Sequence, residues 1–222
     1  MKQEAGRRAF IVLYLIFLAA GLYLNIAYTQ KELFFWVNTH YTKFLDIFME
    51  LYTNAGNGVF CILLSVIILL FIKIRPGLAM LASFSLSGII VQVLKLFIFT
   101  DHQRPWAAFV ATNPVHLVNN FTPFTNNSFP SGHEATAFCM ATLLVLIIPR
   151  INPFISVLLF LLALLVAYSR IYLSQHYFID VYVGSIVGAL SSALIYYYFY
   201  KRKYKSKRRF PWLDRPLLRI HK

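Results

Sequence analysis

Two residues near the C-terminus, His176 and Asp180, have types and a spacing that suit nucleophilic chemistry. They lie four residues apart at the start of an apolar segment, so in a helix their side chains would share one face, one turn apart. A carboxylate beside an imidazole fixes the tautomer of the ring and leaves the second ring nitrogen free to attack. The pair therefore predicts a histidine nucleophile oriented by an aspartate.

A second histidine, His133, directly follows a Pro-Ser-Gly turn at 130–132 and opens another apolar segment. A turn of this kind at a helix start exposes backbone N–H groups at the positive end of the helix dipole, which suits a phosphate group. Arg104 and Arg170 add planar guanidinium groups that can hold phosphate oxygens through paired N–H donors. These residue types together indicate chemistry on a phosphate group.

The composition indicates that these residues belong to a membrane protein. Of 222 residues, 59% are hydrophobic and 13% are charged, which is too apolar for a soluble domain of this length. A helix needs about 20 apolar residues to cross the hydrocarbon core. Six segments approach that length, at about 9–28, 57–73, 78–100, 133–149, 153–171 and 178–200. We therefore predict an all-α polytopic membrane protein with six transmembrane helices, forming one domain over 1–200, followed by a basic cytoplasmic tail over 201–222.

The distribution of positive charge predicts the orientation of these helices. The formal net charge is +13, which in a soluble protein would suggest nucleic acid, but ten of the 21 Lys and Arg residues lie in the tail. A cytoplasmic tail that meets anionic lipid headgroups explains this charge better, and no nucleic-acid partner is expected. With the N-terminus in the cytoplasm, 16 cations fall on the inner side and five on the outer side, in keeping with the positive-inside rule. Six spans then bring both termini to the cytoplasm.

This orientation sends the candidate residues to the outer face, periplasmic or extracellular, of a plasma or inner membrane. Ionisable groups at membrane depth are costly and usually mark a functional site. Six such groups lie at or near span ends on this face: Lys95, Arg104, His133, Arg170, His176 and Asp180. The sequence therefore predicts one anion-holding pocket at the outer membrane surface.

Two longer segments lie on the same outer side. The first, 29–56, mixes aromatic and aliphatic residues with polar ones, which predicts an amphipathic helix in the membrane interface. The second, 101–132, contains four prolines and several asparagines, which favour a structured loop over a helix. We expect selectivity for the substrate to reside in 29–56 and in 101–128.

Two stretches of the chain resemble signature motifs of a known family. Phe129–His133 and Ser169–Asp180 resemble the second and third motifs of the type 2 phosphatidic acid phosphatase and vanadium haloperoxidase superfamily. The match to Pro-Ser-Gly-His and to Ser-Arg-x5-His-x3-Asp is complete in residue type and spacing. With the six-segment pattern, the resemblance to the integral-membrane lipid phosphatases of that superfamily covers nearly the whole chain.

The first family motif, Lys-x6-Arg-Pro, is matched only in part. Arg104 and Pro105 supply its end, but the nearest upstream lysine, Lys95, is separated from Arg104 by eight residues, and position 97 is Phe97. Two extra residues on a helix would turn the lysine by about 200°. Either the helix unwinds over 98–103, or Lys95 is only a membrane anchor.

The resemblance implies a role for each matching residue. His176 would attack phosphorus and form a phosphohistidine, and Asp180 would orient it. His133 would protonate the leaving oxygen and then activate water. The groups that would hold the phosphate oxygens are Lys95, Arg104, Ser131, Gly132 and Arg170.

The resulting functional prediction is a metal-independent lipid phosphate or pyrophosphate phosphatase, without cofactors and without an obligate protein partner. Candidate substrates are undecaprenyl diphosphate, phosphatidylglycerophosphate, phosphatidic acid and the 1-phosphate of lipid A. A lipid phosphotransferase remains an alternative, because another lipid or a sugar could capture the phosphohistidine. A haloperoxidase is a further possibility, which six spans disfavour. A non-enzymatic protein that binds or translocates lipid would keep the fold without the chemistry.

Overall fold

The structure is a computed structural model that describes residues 4–118, 124–201 and 210–218. Nine α-helices and no strands occur within these ranges. The helices are α1 (Ala5–Ala27), α2 (Gln30–Asn38), α3 (Lys43–Tyr52), α4 (Gly58–Ile67), α5 (Ile74–Val93), α6 (Pro105–Phe109), α7 (Gly132–Ile147), α8 (Pro153–Tyr172) and α9 (Phe178–Tyr196). Three of them continue into π-helical turns: α4 into Ile68–Ile72, α5 into Leu94–Ile98 and α9 into Tyr197–Lys201. The fold is therefore all-helical, as the sequence predicts.

All six predicted apolar segments are helical, but they differ in how well they suit a membrane span. Four helices are long and apolar enough to cross a bilayer: Ala5–Ala27, Ile74–Ile98, Pro153–Tyr172 and Phe178–Lys201. A fifth candidate joins Lys43–Gly56 to Gly58–Ile72 across a bend of 57°. The remaining helix, α7, has 16 residues and spans about 24 Å, against a hydrocarbon core of about 30 Å. Length and composition thus support four to five spans in the described part of the chain.

The short helix α7 is the centre of the bundle, where it packs against α5, α8 and α9. An unbroken run of its residues, 134–143, is buried. Small residues of α9 let the two backbones approach closely. A Cβ added at Gly188 would overlap the carbonyl oxygen of Ala135, and one at Gly184 would lie 2.6 Å from that of Ser131. This packing holds the start of α7 beside the start of α9, where most of the candidate residues lie.

One end of the bundle gathers the start of α1, the end of α7, the start of α5 and the segment 210–218. Arg7 donates a hydrogen bond to the carbonyl of Leu146 at 2.6 Å. The backbone N–H of Ile74 donates to the carbonyl of Arg215 at 2.9 Å, which ties the C-terminal segment to α5. These contacts bring the start of α1 and the segment 210–218 to the same end of the bundle.

The opposite end, called here the site end, carries α2, α3, α6 and the described loop residues 101–104, 110–118, 124–131 and 173–177. Asn38 of α2 donates to the carbonyl of Tyr172 at the end of α8, at 3.2 Å. The backbone N–H of Ile179 at the start of α9 donates to the side chain of Gln30, at 3.0 Å. These contacts fix α2 over the end of α8 and the start of α9.

The segment 29–56, expected as one amphipathic helix, forms two helices and a short 3-10 turn. Threonines interrupt it, because Thr29 and Thr42 each accept a hydrogen bond from a backbone N–H of the following helix and so start α2 and α3 separately. Within the segment 101–132, the described residues are irregular apart from α6 and from Gly132, which begins α7, as the prolines predict; 119–123 lie outside the described residues.

Candidate active site

The His176 and Asp180 side chains meet at the start of α9. His176 Nδ1 lies 3.2 Å from Asp180 Oδ2, and both residues are almost fully buried. The same carboxylate oxygen accepts hydrogen bonds from the backbone N–H of Tyr177 at 3.0 Å and from Ser128 Oγ at 2.5 Å. Because an ionised carboxylate only accepts, the ring proton belongs on Nδ1. His176 Nε2 is then the unprotonated nitrogen, whose lone pair a nucleophile needs.

Arg104 fixes this tautomer from the other side of the ring. Its Nη1 lies 3.3 Å from His176 Nε2, and a guanidinium can only donate, so Nε2 is the acceptor. Burial, followed by the positive charge of Arg104, lowers the pKa of His176 well below its ordinary value. Burial also lowers the pKa of Arg104, to about 10, which leaves it charged at neutral pH. The geometry thus gives a neutral imidazole beside a fixed positive charge.

Arg170, in the last turn of α8, is held on two sides. Its Nη1 donates to Thr53 Oγ1 at 2.8 Å, and its Nη2 lies 3.5 Å from Gln175 Oε1. The same Gln175 oxygen accepts from Arg104 Nη1 at 3.0 Å. Both guanidinium groups therefore meet at one amide oxygen. The sequence patterns indicate neither Thr53 nor Gln175.

Lys95 lies in the π-helical turn Leu94–Ile98 at the end of α5 and is 9% exposed. Its Nζ donates to the carbonyl of Asn127 at 2.7 Å, and Arg104 Nη2 lies 3.4 Å from the same oxygen. A π-helix closes its hydrogen bonds over five residues, so it has a wider turn than an α-helix and shifts the register of the residues after it. The helix departs from α-geometry at Leu94 and has ended by Phe99, so the chain is non-helical over 99–104. The predicted unwinding before Arg104 is therefore present, and the phosphate-binding role of Lys95 stays a prediction.

The Pro-Ser-Gly turn caps α7 as predicted. Ser131 is the N-cap residue, its Oγ accepts from the backbone N–H of Glu134 at 3.4 Å, and Gly132 begins the helix. The backbone N–H of Ser131 donates to the carbonyl of Asp180 at 3.0 Å, which joins the two motifs directly. His133 follows in the first turn of α7.

His133 and Gly132 line a cavity of about 220 Å³ that runs between α4, α5 and α7. Its walls include four glycines together with Phe84 and Val91, so much of it is apolar. At Gly88 an added Cβ would meet nothing within 4 Å. Most of the lining residues belong to α5 and α7, and α4 contributes Gly58.

The electrostatic influence of the predicted residues on the His176 ring also indicates that they lie near one another. The charges that act on the His176 ring, in decreasing order, are those of Arg104, Arg170, Lys95 and His133. With Asp180 in direct contact, five predicted residues lie within electrostatic range of the nucleophile candidate. Such an arrangement of cations and imidazoles can hold a tetrahedral oxyanion. Among the described residues, no group of three His, Cys, Asp or Glu side chains is arranged to hold a metal ion.

Comparison with known proteins identifies the family that carries this arrangement. The sequence model of the PAP2 superfamily matches residues 76–204, which include all of the candidate site residues. The chain belongs to the PAP2 superfamily.

Individual relatives extend the similarity over most of the chain. An undecaprenyl-diphosphatase of Sulfolobus acidocaldarius is 27% identical over 190 residues, covering 82% of this chain and 87% of the relative. Phosphatidylglycerophosphatase B of Bacillus subtilis is 27% identical over 200 residues, covering 83% and 91%. The crystal structure of Aquifex aeolicus LpxE is similar with a TM-score of 0.63 and 30% identity, covering 74% of this chain and 92% of that one.

Membership of this family confirms the resemblance drawn from the motifs. The chain is a phosphatase of the PAP2 type, which makes it a hydrolase, and its apolar helices make it an integral membrane protein. The structure brings the predicted residues to one end of the bundle, but the role of each one stays a prediction.

Proposed function

We propose that this protein removes a phosphate group from a lipid phosphate or lipid pyrophosphate at the outer membrane face, through a phosphohistidine on His176. The observation that carries the proposal is the geometry of that ring. Its Nδ1 is held by Asp180, and its Nε2 faces the guanidinium of Arg104. A buried, neutral imidazole with a fixed tautomer is ready to attack phosphorus without first losing a proton.

The first half-reaction transfers the phosphoryl group to the enzyme. His176 Nε2 forms a bond to phosphorus while the bond from phosphorus to the leaving oxygen breaks, and His133 donates a proton to that oxygen. The ring of His176 gains positive charge as the bond forms, and the Asp180 carboxylate at Nδ1 stabilises it. The lipid product leaves with a hydroxyl or a phosphate in place of the group transferred.

The second half-reaction returns the enzyme to its starting state. His133, now neutral, takes a proton from a water molecule whose oxygen attacks phosphorus. The bond between phosphorus and Nε2 breaks, inorganic phosphate forms, and the neutral His176 is restored with its proton on Nδ1. General acid–base assistance of this kind contributes typically about 10²- to 10⁴-fold to a rate.

Three cationic side chains supply the charge neutralisation that phosphoryl transfer requires. Lys95, Arg104 and Arg170 would hold the phosphate oxygens. Ser131 and the N–H of Gly132, at the positive end of the α7 dipole, would assist them. Metal-independence is part of the proposal, because these groups can do what a divalent cation does in other phosphatases.

The cavity that starts at His133 supports a lipid-anchored leaving group. Its glycines and its apolar side chains, such as Phe84 and Val91, suit a hydrocarbon chain better than a sugar or a peptide. His133 lies in the wall of this cavity, so a proton from its ring would reach the oxygen that connects the lipid tail to phosphorus. A tail lying between α4 and α5 would enter the site from the bilayer.

We also propose that the chain crosses the membrane six times, with α4 and α7 completing the set, and that both termini are cytoplasmic. The end of the bundle opposite the site end carries Arg7, Arg75, Arg150 and Lys201 near its surface, as the positive-inside rule favours for the cytoplasmic side. The α3 helix exposes Phe44, Ile47 and Leu51, which supports a position in the outer membrane interface.

The test of the enzymatic proposal is phosphate release by purified protein in detergent from undecaprenyl diphosphate, phosphatidylglycerophosphate, phosphatidic acid and lipid A, with and without EDTA. The wild type should release phosphate from at least one of these lipids, and EDTA should leave the rate unchanged. The variant His176→Ala should lose at least about 10³-fold, because the covalent route is gone. An exposed histidine at the same end, His40, provides the matched control, and His40→Ala should keep wild-type activity.

Two outcomes would contradict the proposal. Equal activity in wild type and His176→Ala would show that His176 is not the nucleophile. Loss of turnover in EDTA would show that the reaction depends on a metal ion. Phosphate transferred to an added lipid or sugar rather than to water would favour the phosphotransferase alternative.

A further inference from the structure

Gln175, at a variable position of the third family motif, lies between the two arginines of the site. It has no solvent exposure, and its Oε1 lies 3.0 Å from Arg104 Nη1 and 3.5 Å from Arg170 Nη2. Its backbone carbonyl also accepts from Arg104 Nη1, at 3.1 Å. One residue thus contacts both of the guanidinium groups that the proposed function uses to hold phosphate.

The orientation of the Gln175 amide follows from the chemistry of its neighbours. Guanidinium groups only donate hydrogen bonds, so the atom that faces both arginines must be the amide oxygen. The amide nitrogen is then on the other side of the group. This nitrogen is buried and has no hydrogen-bond partner among the described residues. Buried donors without a partner are uncommon, and each one calls for an explanation.

The backbone brings Gln175 to this position. The residue before it, Ser174, has a φ of 59°, which turns the chain sharply after the end of α8. The backbone N–H groups of Gln175 and His176 then both donate to the carbonyl of Arg170, at 3.0 and 3.2 Å. Asn38 and Ser174 share a buried hydrogen bond of 3.0 Å that holds the turn in place. The side chains of Arg170, Gln175 and His176 are therefore fixed relative to one another.

We propose that Gln175 is a further phosphate-binding residue of this site. Its Oε1 holds Arg104 and Arg170 at a fixed separation, and its Nε2 donates a hydrogen bond to an oxygen of the bound phosphate group. This inference rests on the proposed function, because it names the group that Gln175 would contact. It adds a donor that carries no charge to a site otherwise built from cations and imidazoles.

The test uses inorganic phosphate as the probe, because its binding can be measured without turnover. Phosphate binding to detergent-purified protein is followed by the rise in Tm and, in the active enzyme, by the inhibition constant against the lipid substrate. Gln175→Met removes both the acceptor and the donor at similar volume. Gln175→Glu keeps an acceptor for both arginines and loses the donor. The matched control is Gln103→Met, which changes an exposed glutamine in the loop just before Arg104.

We expect the inhibition constant for phosphate to rise about ten- to a hundredfold in Gln175→Met, which corresponds to one lost hydrogen bond to a charged group. Gln175→Glu should weaken phosphate at least as much, while its Tm without phosphate stays at or above that of the wild type. Gln103→Met should behave like the wild type. If Gln175 has only a structural role, Gln175→Met should have a lower Tm, and every variant that folds should bind phosphate as tightly as the wild type. That result overturns the inference.

The design separates this inference from the proposed function. If the wild type binds phosphate but releases none from any lipid, and the Gln175 variants lose phosphate binding, only the enzymatic proposal fails. If the wild type hydrolyses lipid phosphate and both Gln175 variants keep its phosphate inhibition constant and KM, only the role of Gln175 fails.

Discussion

At the scale of single residues, two cations of the site, Lys95 and Arg104, are held by backbone oxygens. Lys95 donates to Asn127, and Arg104 donates to Asn126 and Gln175. These carbonyl oxygens accept hydrogen bonds from some of the N–H groups that would otherwise donate to a phosphate. They also keep the side chains in place. Cations fixed in this way need little reorganisation when negative charge develops in a transition state.

The positive charge around His176 leads to a prediction about pH. Burial, and then Arg104, lower the pKa of His176, so the ring becomes protonated and inactive only well below pH 6.5. Replacing Arg104 by Gln removes the charge that acts most strongly on this ring, which should raise the pKa of His176 toward its ordinary value. The acidic limb of kcat/KM should therefore move to higher pH in Arg104→Gln, together with a fall in kcat/KM of about 10²-fold or more.

The measurement is the profile of kcat/KM for wild type and Arg104→Gln on one substrate, between about pH 4 and pH 8. Titration of the substrate phosphate is the same for both proteins, so a difference between the two limbs belongs to the enzyme. A limb that stays in place, or that moves to lower pH, would contradict the assignment of His176 as the group that must be neutral.

Sequence reasoning finds the residues of this site that belong to local patterns and misses those held by distant partners. The spacing of His176 and Asp180 is enough to predict their contact. Thr53 bonds to Arg170, which is 117 positions away, and nothing in the sequence around either residue indicates that pairing. The sequence alone does not determine on which side of the helix Lys95 lies relative to Arg104, because a π-helical turn has no reliable sequence signature.

At the scale of elements, the starts of α7 and α9 are locked together and so position the two histidines. The hydrogen bond from Ser131 to the carbonyl of Asp180 joins them, and glycines of α9 let the backbones approach. The apolar runs predict these helices well because a buried or lipid-facing helix needs such a run. Hydropathy does not predict their close approach, because a glycine in an apolar run looks the same in the sequence whether it contacts another helix or is exposed.

Two glycines of long apolar helices provide a matched test of this packing. A Cβ at Gly188 would overlap the carbonyl oxygen of Ala135, whereas one at Gly88 would meet nothing within 4 Å. Gly188→Ala should therefore lower the free energy of unfolding by about 1–3 kcal/mol or more. Gly88→Ala should leave stability unchanged or raise it by up to about 1 kcal/mol, because alanine favours helix.

The two variants are compared by thermal unfolding in the same detergent, with phosphate release measured in parallel. Gly188→Ala should also lose activity, since a displaced α9 moves Asp180 away from its contacts at the start of α7. Equal melting temperatures for the two variants would mean that α9 can shift without cost, and the close packing would not be what positions the site.

At the scale of the whole molecule, the site end and the opposite end differ in charge and in construction. The site end holds the buried side chains of Lys95, Arg104 and Arg170, together with the short helices α2, α3 and α6. The other end exposes basic residues and joins the segment 210–218 to α5 through the ion pair of Arg75 and Asp214, at 2.9 Å. A concentration of exposed cations at one end is typical of a cytoplasmic surface under the positive-inside rule.

This asymmetry predicts the side of the membrane on which each end lies. The native cysteines Cys61 and Cys139 are fully buried, so they give little background to a thiol reagent. A cysteine at exposed position 111 of the site end, introduced as Ala111→Cys, should react with an impermeant maleimide in right-side-out vesicles. Arg215→Cys, at the opposite end, should react only after detergent is added. The reverse pattern would turn the bundle over and bring the site to the cytoplasm, so that the lipid substrate would have to come from the inner leaflet.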